Sequence, residues 1–203
     1  MGVLVALFVG AIIFSNNKST DSPTTNTTAS ASSHTKGKGS KGVILLEYGD
    51  FQCPACGQYY PLVKQVKEKY GDDITFQFRN FPLVQIHQNA MVASRAAEAA
   101  GLQGKFWEMH DILYERQQSW ESSSNAPAIM EDYAAELGLN VDKFKTDFAS
   151  SAVNDTIQAD MQAGQQAGVN STPSFYINGT KVDPLPQDLA GFSKLIDDAI
   201  ANK

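Results

Sequence analysis

Apolar and polar positions between residues 43 and 201 follow patterns that predict four strands and several helices. Residues 43–48 are almost continuously apolar, as expected for a strand that is covered on both faces. Residues 74–78 alternate apolar and polar side chains, which predicts a half-buried strand. Asn178-Gly179 predicts a type I′ hairpin turn between the last two strands, because both central residues of that turn need positive φ.

Helical spacing of apolar residues marks most of the remaining chain. The predicted order is β-α-β, then several helices, then β-β-α, which implies an α/β domain over residues 41–203 with a mixed four-stranded sheet and helices on both faces. The helices of the middle form an insertion at about residues 84–150. Helical spacing is found at residues 57–70, 88–100, 106–113, 129–137, 144–148, 153–167 and 189–200.

The N-terminus has a different composition from the domain. Residues 1–14 are apolar without a charge, too short for the roughly 20 residues that span a bilayer, and they predict a signal or anchor segment. Residues 15–40 are rich in Ser, Thr, Asn and Gly and predict a flexible polar linker. We therefore expect an extracytoplasmic domain tethered to a membrane. The net charge of −6 argues against a nucleic-acid partner.

The chain has only two cysteines, and they form the motif Cys53-Pro54-Ala55-Cys56. A zinc site needs about four ligands, and no second cysteine pair or suitably spaced histidines supply them. A structural disulfide closing so small a ring would contribute only roughly 2 kcal/mol. A redox pair accounts for the spacing directly. Backbone N–H groups at a helix start lower the pKa of the first thiol, Cys53, and the second thiol lies close enough to attack a mixed disulfide.

The order of elements, with the cysteines at the first strand-to-helix junction, resembles the thioredoxin fold. The helical insertion resembles that of the DsbA-like extracytoplasmic thiol–disulfide oxidoreductases. The resemblance covers residues 42–201, and its motifs are FQCPAC at 51–56, GKFW at 104–107 and GVNSTPSF at 168–175.

This resemblance implies roles for residues outside the cysteine pair. Pro173 would be a cis-proline that lies against the active-site disulfide, and the backbone of Thr172 would pair with an extended substrate peptide. The residues beside the thiols, Phe51, Pro54 and Ala55, would add substrate contacts. The alternative is an ordinary trans turn at Thr172-Pro173, since cis is the minority state of any X-Pro bond.

Glu47 interrupts the first apolar run six positions before Cys53. The resemblance implies that this carboxyl lies beneath Cys56. Burial would raise its pKa, and it could then carry the proton that Cys56 gives up and takes back. The alternative is a glutamate at a strand edge that faces water.

The chain departs from the family pattern at two points. Ala55 stands where the best-known oxidases have histidine, so one source of thiolate stabilisation is absent. The polar residues 36–41 offer no clear strand before residue 43.

One further residue agrees with the resemblance. Pro61, inside the first helix, matches the kink of the thioredoxin active-site helix.

The sequence thus predicts a monomeric oxidoreductase that introduces disulfides into reduced exported proteins and needs no bound cofactor. The resemblance implies reoxidation by a quinone-linked membrane oxidase. A reductase or isomerase on the same fold is the alternative enzyme. A client-binding module with a permanently closed disulfide is the alternative that is not an enzyme.

Overall fold

A computed structural model describes residues 1–2 and 30–203 of the chain. Residues 3–14 of the predicted anchor segment and residues 15–29 of the predicted linker lie outside the described residues, so both remain predictions. None of the described helices is long and apolar enough to cross a bilayer.

The core of the fold is a mixed sheet in the order β1-β3-β2-β4-β5. Neighbouring strands are antiparallel except for β2 and β3, which run parallel. Strand β2 lies at the centre and therefore carries its C-terminal end, where the cysteine motif follows, into the middle of the domain. The strands are β1 (His34–Lys36), β2 (Val43–Gly49), β3 (Ile74–Asn80), β4 (Ser174–Ile177) and β5 (Thr180–Lys181).

Strand β1 corrects the prediction of a four-stranded sheet. It lies inside the predicted linker, residues 15–40, and pairs with β3, with His34 opposite Phe78. The composition contains no strand signal here because β1 is an edge strand whose side chains are largely exposed and polar.

Long-range side-chain contacts hold β1 in place. The His34 ring stacks on Phe106 with centroids 3.4 Å apart, and its Nε2 lies 2.8 Å from a carboxylate oxygen of Glu98. Just before the strand, the Ser32 backbone N–H and hydroxyl both donate to the buried Asp160 carboxylate, at 2.6 and 2.7 Å. The ordered domain therefore begins earlier than residue 41.

Helix α1 (Pro54–Tyr70) begins directly after Cys53, three residues earlier than predicted. Pro54 suits the first turn, where its missing N–H is not needed and its fixed φ already matches the helix. The buried side of α1 packs on the sheet, and Pro61 lies inside the helix as expected. The buried residues of α1 are Cys56, Tyr60, Val63, Val66 and Tyr70.

The predicted helical insertion is confirmed, and it contains one helix more than expected. The short α4 was not predicted because its four polar and aromatic residues are too few to show a helical period. Helices α1, α3 and α8 lie on one face of the sheet, and α7 lies on the other. The insertion consists of α2 (Ala90–Gly101), α3 (Phe106–Glu115), α4 (Gln117–Trp120), α5 (Ala126–Glu136) and α6 (Val141–Phe148), and it is followed by α7 (Ser151–Gln166) and α8 (Leu189–Ala201).

The hairpin between β4 and β5 forms at the predicted turn. Asn178 has φ 50° and Gly179 has φ 83°, and Ile177 pairs with Thr180 across the turn. The positive φ at both central residues is the reason for asparagine and glycine at these positions.

Candidate active site

The two cysteines lie at the N-terminus of α1 and are both thiols in this structure. Cys53 is the N-cap residue, with extended backbone angles, and Cys56 lies inside the first turn. Cys53 keeps 7% of its surface accessible and Cys56 keeps 1%. Cys53 is thus the more accessible of the two cysteines, although most of its surface is covered.

The surroundings of Cys53 favour its thiolate and lower its pKa to about 5. The largest cause is a hydrogen bond with the Cys56 thiol, and burial opposes it. The Thr172 side chain contributes next, followed by the backbone N–H groups of Cys56 and Ala55. These N–H groups belong to the first turn of α1 and have no partner within the helix, so they are free to bind a negative sulfur.

Cys56 has the opposite surroundings. Burial raises the pKa of its thiol well above the ordinary value, and the negative charges of ionised Cys53 and Glu47 raise it further. Near neutral pH the site therefore holds one thiolate and one thiol, with Cys53 as the nucleophile.

Glu47 lies in the middle of β2 with only 3% of its surface exposed. It stands between Phe78 on β3 and Phe175 on β4, so the alternative of a glutamate facing water at a strand edge is excluded. Burial raises its pKa to about 8, and the positive charge of Lys67 partly offsets the effect. Glu47 is thus a carboxylic acid at neutral pH and has a proton to give.

The loop before β4 brings Thr172 and Pro173 against the thiols. The Thr172–Pro173 peptide bond is cis in the structure. The Cys53 thiol donates to the Thr172 backbone carbonyl at 3.3 Å. The buried Thr172 hydroxyl has no hydrogen-bond partner among the described residues, and it is available to donate to Cys53 when that sulfur ionises.

Of the three other residues predicted to contact the substrate, two lie at the surface and one lies in the core. Pro54 is exposed and Ala55 is partly exposed, so both are accessible beside Cys53. Phe51 is 0% exposed and packs its ring on Phe78 and Tyr114, at centroid distances of 5.2 and 5.0 Å. The predicted substrate contact by Phe51 is therefore wrong, because the loop turns this apolar ring into the core.

Asp50 holds the loop before the cysteines, a role that no pattern in the sequence indicated. Its carboxylate is fully buried and accepts hydrogen bonds from the backbone N–H groups of Gln52 and Leu83, at 2.8 and 2.9 Å. It also lies 2.6 Å from Nδ1 of His87. His87 is partly buried and joins the loop to the segment after β3.

The helical insertion makes a second set of contacts with this loop. Gln117 of α4 donates from Nε2 to the backbone carbonyls of Phe51 and Cys53, at 2.7 and 3.0 Å. The backbone N–H of Asn89 donates to Oε1 of Gln52 at 2.6 Å. The insertion thus holds the backbone at Phe51 and Cys53. The sequence alone could not identify Gln117 as a site residue, because the short helix α4 that carries it shows no helical period.

A family model described as thioredoxin matches residues 29–198. The chain belongs to the thioredoxin family. The solved structures to which it is similar confirm that its fold resembles that of DsbA-like proteins.

Three solved structures show the extent of the similarity. A thioredoxin-like oxidoreductase from Silicibacter pomeroyi is 25% identical with a TM-score of 0.69, covering 82% of this chain and 91% of the other. Alpha-DsbA1 from Wolbachia pipientis is 20% identical with a TM-score of 0.73, covering 84% and 92%. Oxidised BdbD from Bacillus subtilis is 21% identical with a TM-score of 0.71, covering 86% and 98%.

Curated relatives with higher identity are longer proteins named Na(+)/H(+) antiporter NhaA 1. The one from Mycolicibacterium vanbaalenii is 36% identical over 150 residues, and the one from Salinispora arenicola is 38% identical over 148 residues. The match covers 73% of this chain in both cases but only 24% and 22% of the antiporters. The chain thus spans less than a quarter of the length of these relatives.

Proposed function

We propose that this thioredoxin-family protein introduces disulfides into reduced exported proteins by exchange through Cys53 and Cys56. The observation that carries the proposal is the unequal acidity of the two thiols, with the Cys53 pKa lowered to about 5 and the Cys56 pKa raised well above its ordinary value. Such an asymmetry fits a catalytic pair, because one sulfur must accept attack and the other must leave and return.

The first step begins with the oxidised protein. A client thiolate attacks Cys53 Sγ, the bond between Cys53 and Cys56 breaks, and its electron pair stays on Cys56 Sγ. Glu47, protonated below pH about 8, gives its proton to the Cys56 sulfur. The products are a mixed disulfide between the client and Cys53, and a Cys56 thiol.

The second step releases the client. A second client thiolate attacks the client sulfur of the mixed disulfide, and Cys53 leaves as the stabilised thiolate. The client gains a disulfide, and the protein becomes the dithiol. Only residues of the protein and of its client take part in the bond changes and the proton transfer of these two steps.

The client would bind as an extended peptide beside the thiols. The cis Thr172–Pro173 loop lies within hydrogen-bond distance of Cys53 Sγ, and a strand-like segment could pair with the Thr172 backbone there. Pro54 and Ala55 provide the accessible surface on the other side of Cys53. Recognition through the backbone would accept many client sequences.

The direction of the reaction follows from the stability of the Cys53 thiolate. Only the reduced protein contains that thiolate, so its stabilisation makes the protein a better oxidant, by about 1.4 kcal/mol for each 30 mV. This argument favours an oxidase over a reductase or isomerase. Ala55 adds nothing to the stability of the Cys53 thiolate, whereas a histidine at this position would add a positive charge beside it.

The proposed location is extracytoplasmic, with residues 1–14 as anchor or signal and a quinone-linked membrane oxidase as the reoxidising partner. The apolar N-terminal segment, the polar composition after it and the redox pair support this location. We also propose that the protein acts as a monomer.

The redox equilibrium of the pair with glutathione tests the proposal, together with the alkylation rate of Cys53 as a function of pH. We expect a potential well above the roughly −270 mV of thioredoxin and half-maximal alkylation near pH 5. A potential at or below that of thioredoxin would reverse the direction and favour the reductase. Retained client binding and function in the Cys53→Ser/Cys56→Ser variant would favour the binding module.

A further inference from the structure

The side-chain amide of Gln117 makes two hydrogen bonds to the backbone beside the nucleophilic sulfur. Its Nε2 donates to the carbonyls of Phe51 and Cys53, at 2.7 and 3.0 Å, so both N–H groups of the amide are used. The Cys53 carbonyl also accepts the Gly57 backbone N–H at 3.1 Å, and this bond closes the first turn of α1. The Gln117 amide therefore joins the loop before α1 to the turn in which that helix begins.

The short helix α4 is a fixed support for this amide. Trp120 follows Gln117 by three residues and is 0% exposed, and its Nε1 donates to the Leu113 carbonyl at 3.0 Å. Directly after α4, the Glu121 carbonyl accepts a hydrogen bond from Nε2 of Gln52 at 2.7 Å. The loop and α4 thus hold each other through one glutamine side chain from each.

Gly57 leaves the room that the Gln117 amide occupies. A Cβ added at Gly57 would lie 2.6 Å from Oε1 of Gln117 and 3.2 Å from its Cδ. Gly57 lies inside α1 without a positive φ, so its backbone conformation does not require glycine. Glycine inside a helix is less stable than alanine, because it loses more conformational freedom on folding. The close approach of the amide is therefore the physical reason for glycine here.

The backbone that Gln117 holds determines where the Cys53 sulfur lies. Cys53 is the N-cap residue of α1, with extended backbone angles of φ −66° and ψ 122°. This conformation brings its sulfur to the backbone N–H groups of Ala55 and Cys56, which form hydrogen bonds with it. A different conformation of the loop would move the sulfur away from these donors, and the thiolate would lose part of its stabilisation.

We propose that Gln117 is a positioning residue for the nucleophile, because its hold on the Phe51 and Cys53 carbonyls keeps the Cys53 sulfur at the free N–H groups of α1. The inference rests on the proposed function. The amide acts through the backbone and neither gives nor takes a proton in the reaction. Only the reduced protein contains the thiolate, so this hold also makes the protein a stronger oxidant. The helical insertion thereby sets the reactivity of a cysteine that it does not carry.

Gln117→Ala removes the amide and tests the proposal. We expect the pH of half-maximal Cys53 alkylation to rise by about one unit, because the thiolate loses part of its hold on the N–H donors. The equilibrium constant with glutathione should shift about tenfold toward the oxidised protein, since one unit of thiolate pKa corresponds to that factor. Gln118→Ala, which changes the exposed neighbour on α4, is the matched control and should leave both values unchanged.

Gly57→Ala tests the same contact from the other side. In the wild type the added methyl group displaces the Gln117 amide, so this variant should also raise the alkylation pH and weaken the oxidant. In the Gln117→Ala background the methyl group meets no amide, and Gly57→Ala should add no further change. A double-mutant cycle on the alkylation pH measures this coupling.

A purely structural role of Gln117 would give a different result. It would lower the melting temperature of Gln117→Ala while the alkylation profile and the glutathione equilibrium stay at their wild-type values, and this outcome would overturn the proposal. Additive effects of Gly57→Ala and Gln117→Ala would overturn it as well, because they would show that Gly57 does not act through the amide.

The same measurements separate this inference from the proposed function. Failure of the wild-type protein to oxidise a reduced client would reject the function, whereas the alkylation profiles would still test the hold on Cys53. Client oxidation by the wild type, with an unchanged alkylation profile in Gln117→Ala, would remove only the role of Gln117.

Discussion

The surroundings of Cys53 and Cys56 differ more than two cysteines three positions apart would suggest. Cys53 lies at the open end of α1, next to backbone N–H groups, the Cys56 thiol and the Thr172 side chain. Cys56 lies inside the first turn and is 1% exposed, and burial is the largest cause of its raised pKa. The pKa values move in opposite directions, to about 5 for Cys53 and well above 9.0 for Cys56.

This difference shows that position relative to the helix end decides the chemistry of each sulfur. The N-cap position places Cys53 before the unpaired N–H groups of the first turn, which bind a negative charge. A position inside the turn carries a side chain into the sheet-facing core, where a charge loses its hydration. A strand-to-helix junction supplies both environments within four residues.

Replacing each cysteine singly by serine should have the largest effect on the difference between the two sulfurs. Cys56→Ser should accumulate mixed disulfides between Cys53 and clients, because the sulfur that would resolve them is gone. Cys53→Ser should form none, and both variants should lose catalytic turnover. Non-reducing gels with mass spectrometry of the adducts measure this. Client adducts on Cys56 in the Cys53→Ser variant would invert the assignment.

Glu47→Gln removes the proton that Cys56 receives. Proton transfer by a positioned group typically contributes 100-fold or more, so we expect exchange at pH 7 to slow by about 100-fold. Stopped-flow reduction by dithiothreitol measures the rate. Glu68→Gln, which changes an exposed carboxyl of α1, is the control and should leave the rate unchanged.

The same variant should be more stable than the wild type at high pH. The folded-state pKa of Glu47 is raised from 4.5 to about 8, so the wild type loses stability as pH rises from about 4.5 to about 8. The stability gain of Glu47→Gln should therefore vanish below pH 4.5 and be complete above pH 8. Equal stability of the two proteins at pH 9 would show that Glu47 is not held neutral.

The thiolate of Cys53 should give the reverse dependence on pH. Its folded-state pKa is lowered from 9.0 to about 5, so the stability it adds to the reduced protein is fully present above pH 9 and is lost as pH falls through about 5. Denaturant unfolding in the Glu47→Gln background isolates this change from that of Glu47. In the same background, Cys53→Ser should show no such change; a matching slope there would assign the effect to another group.

Ala55→His should increase the difference between the two thiols, with the smallest effect of the variants described. A histidine beside Cys53 adds a positive charge near the thiolate, which should raise the reduction potential on the order of 30 mV, a tenfold change in the equilibrium constant. Equilibration with glutathione measures it, and Ala55→Asn is the uncharged control. An unchanged potential in Ala55→His would show that the helix end already supplies the full stabilisation.

Local patterns were sufficient for the order of elements and for part of the site. The apolar run of β2, the alternation in β3 and the Asn178-Gly179 turn predicted strands and a hairpin where the structure has them, because neighbouring residues set these features. Glu47 and Cys53 could be singled out because each stands out from its own surroundings in the sequence.

Other features depend on residues far apart in the chain. Strand β1 is polar and is held by contacts such as that between Ser32 and Asp160, 128 positions apart. Gln117 reaches Cys53 across 64 positions, and Asp50 reaches His87 across 37. No local period records such contacts, so local patterns predicted a linker in place of β1 and did not indicate the roles of Gln117 and Asp50.

The sequence by itself determined a dithiol at a strand-to-helix junction, a carboxyl in the strand before it, and a helical insertion in a thioredoxin-like domain. Only the tertiary structure decided which way the side chains point. It turned Phe51 into the core and closed the Thr172 carbonyl over the Cys53 thiol. The physical reason is that spacing along the chain fixes helices and strands, whereas burial and charge depend on the elements that pack around each atom.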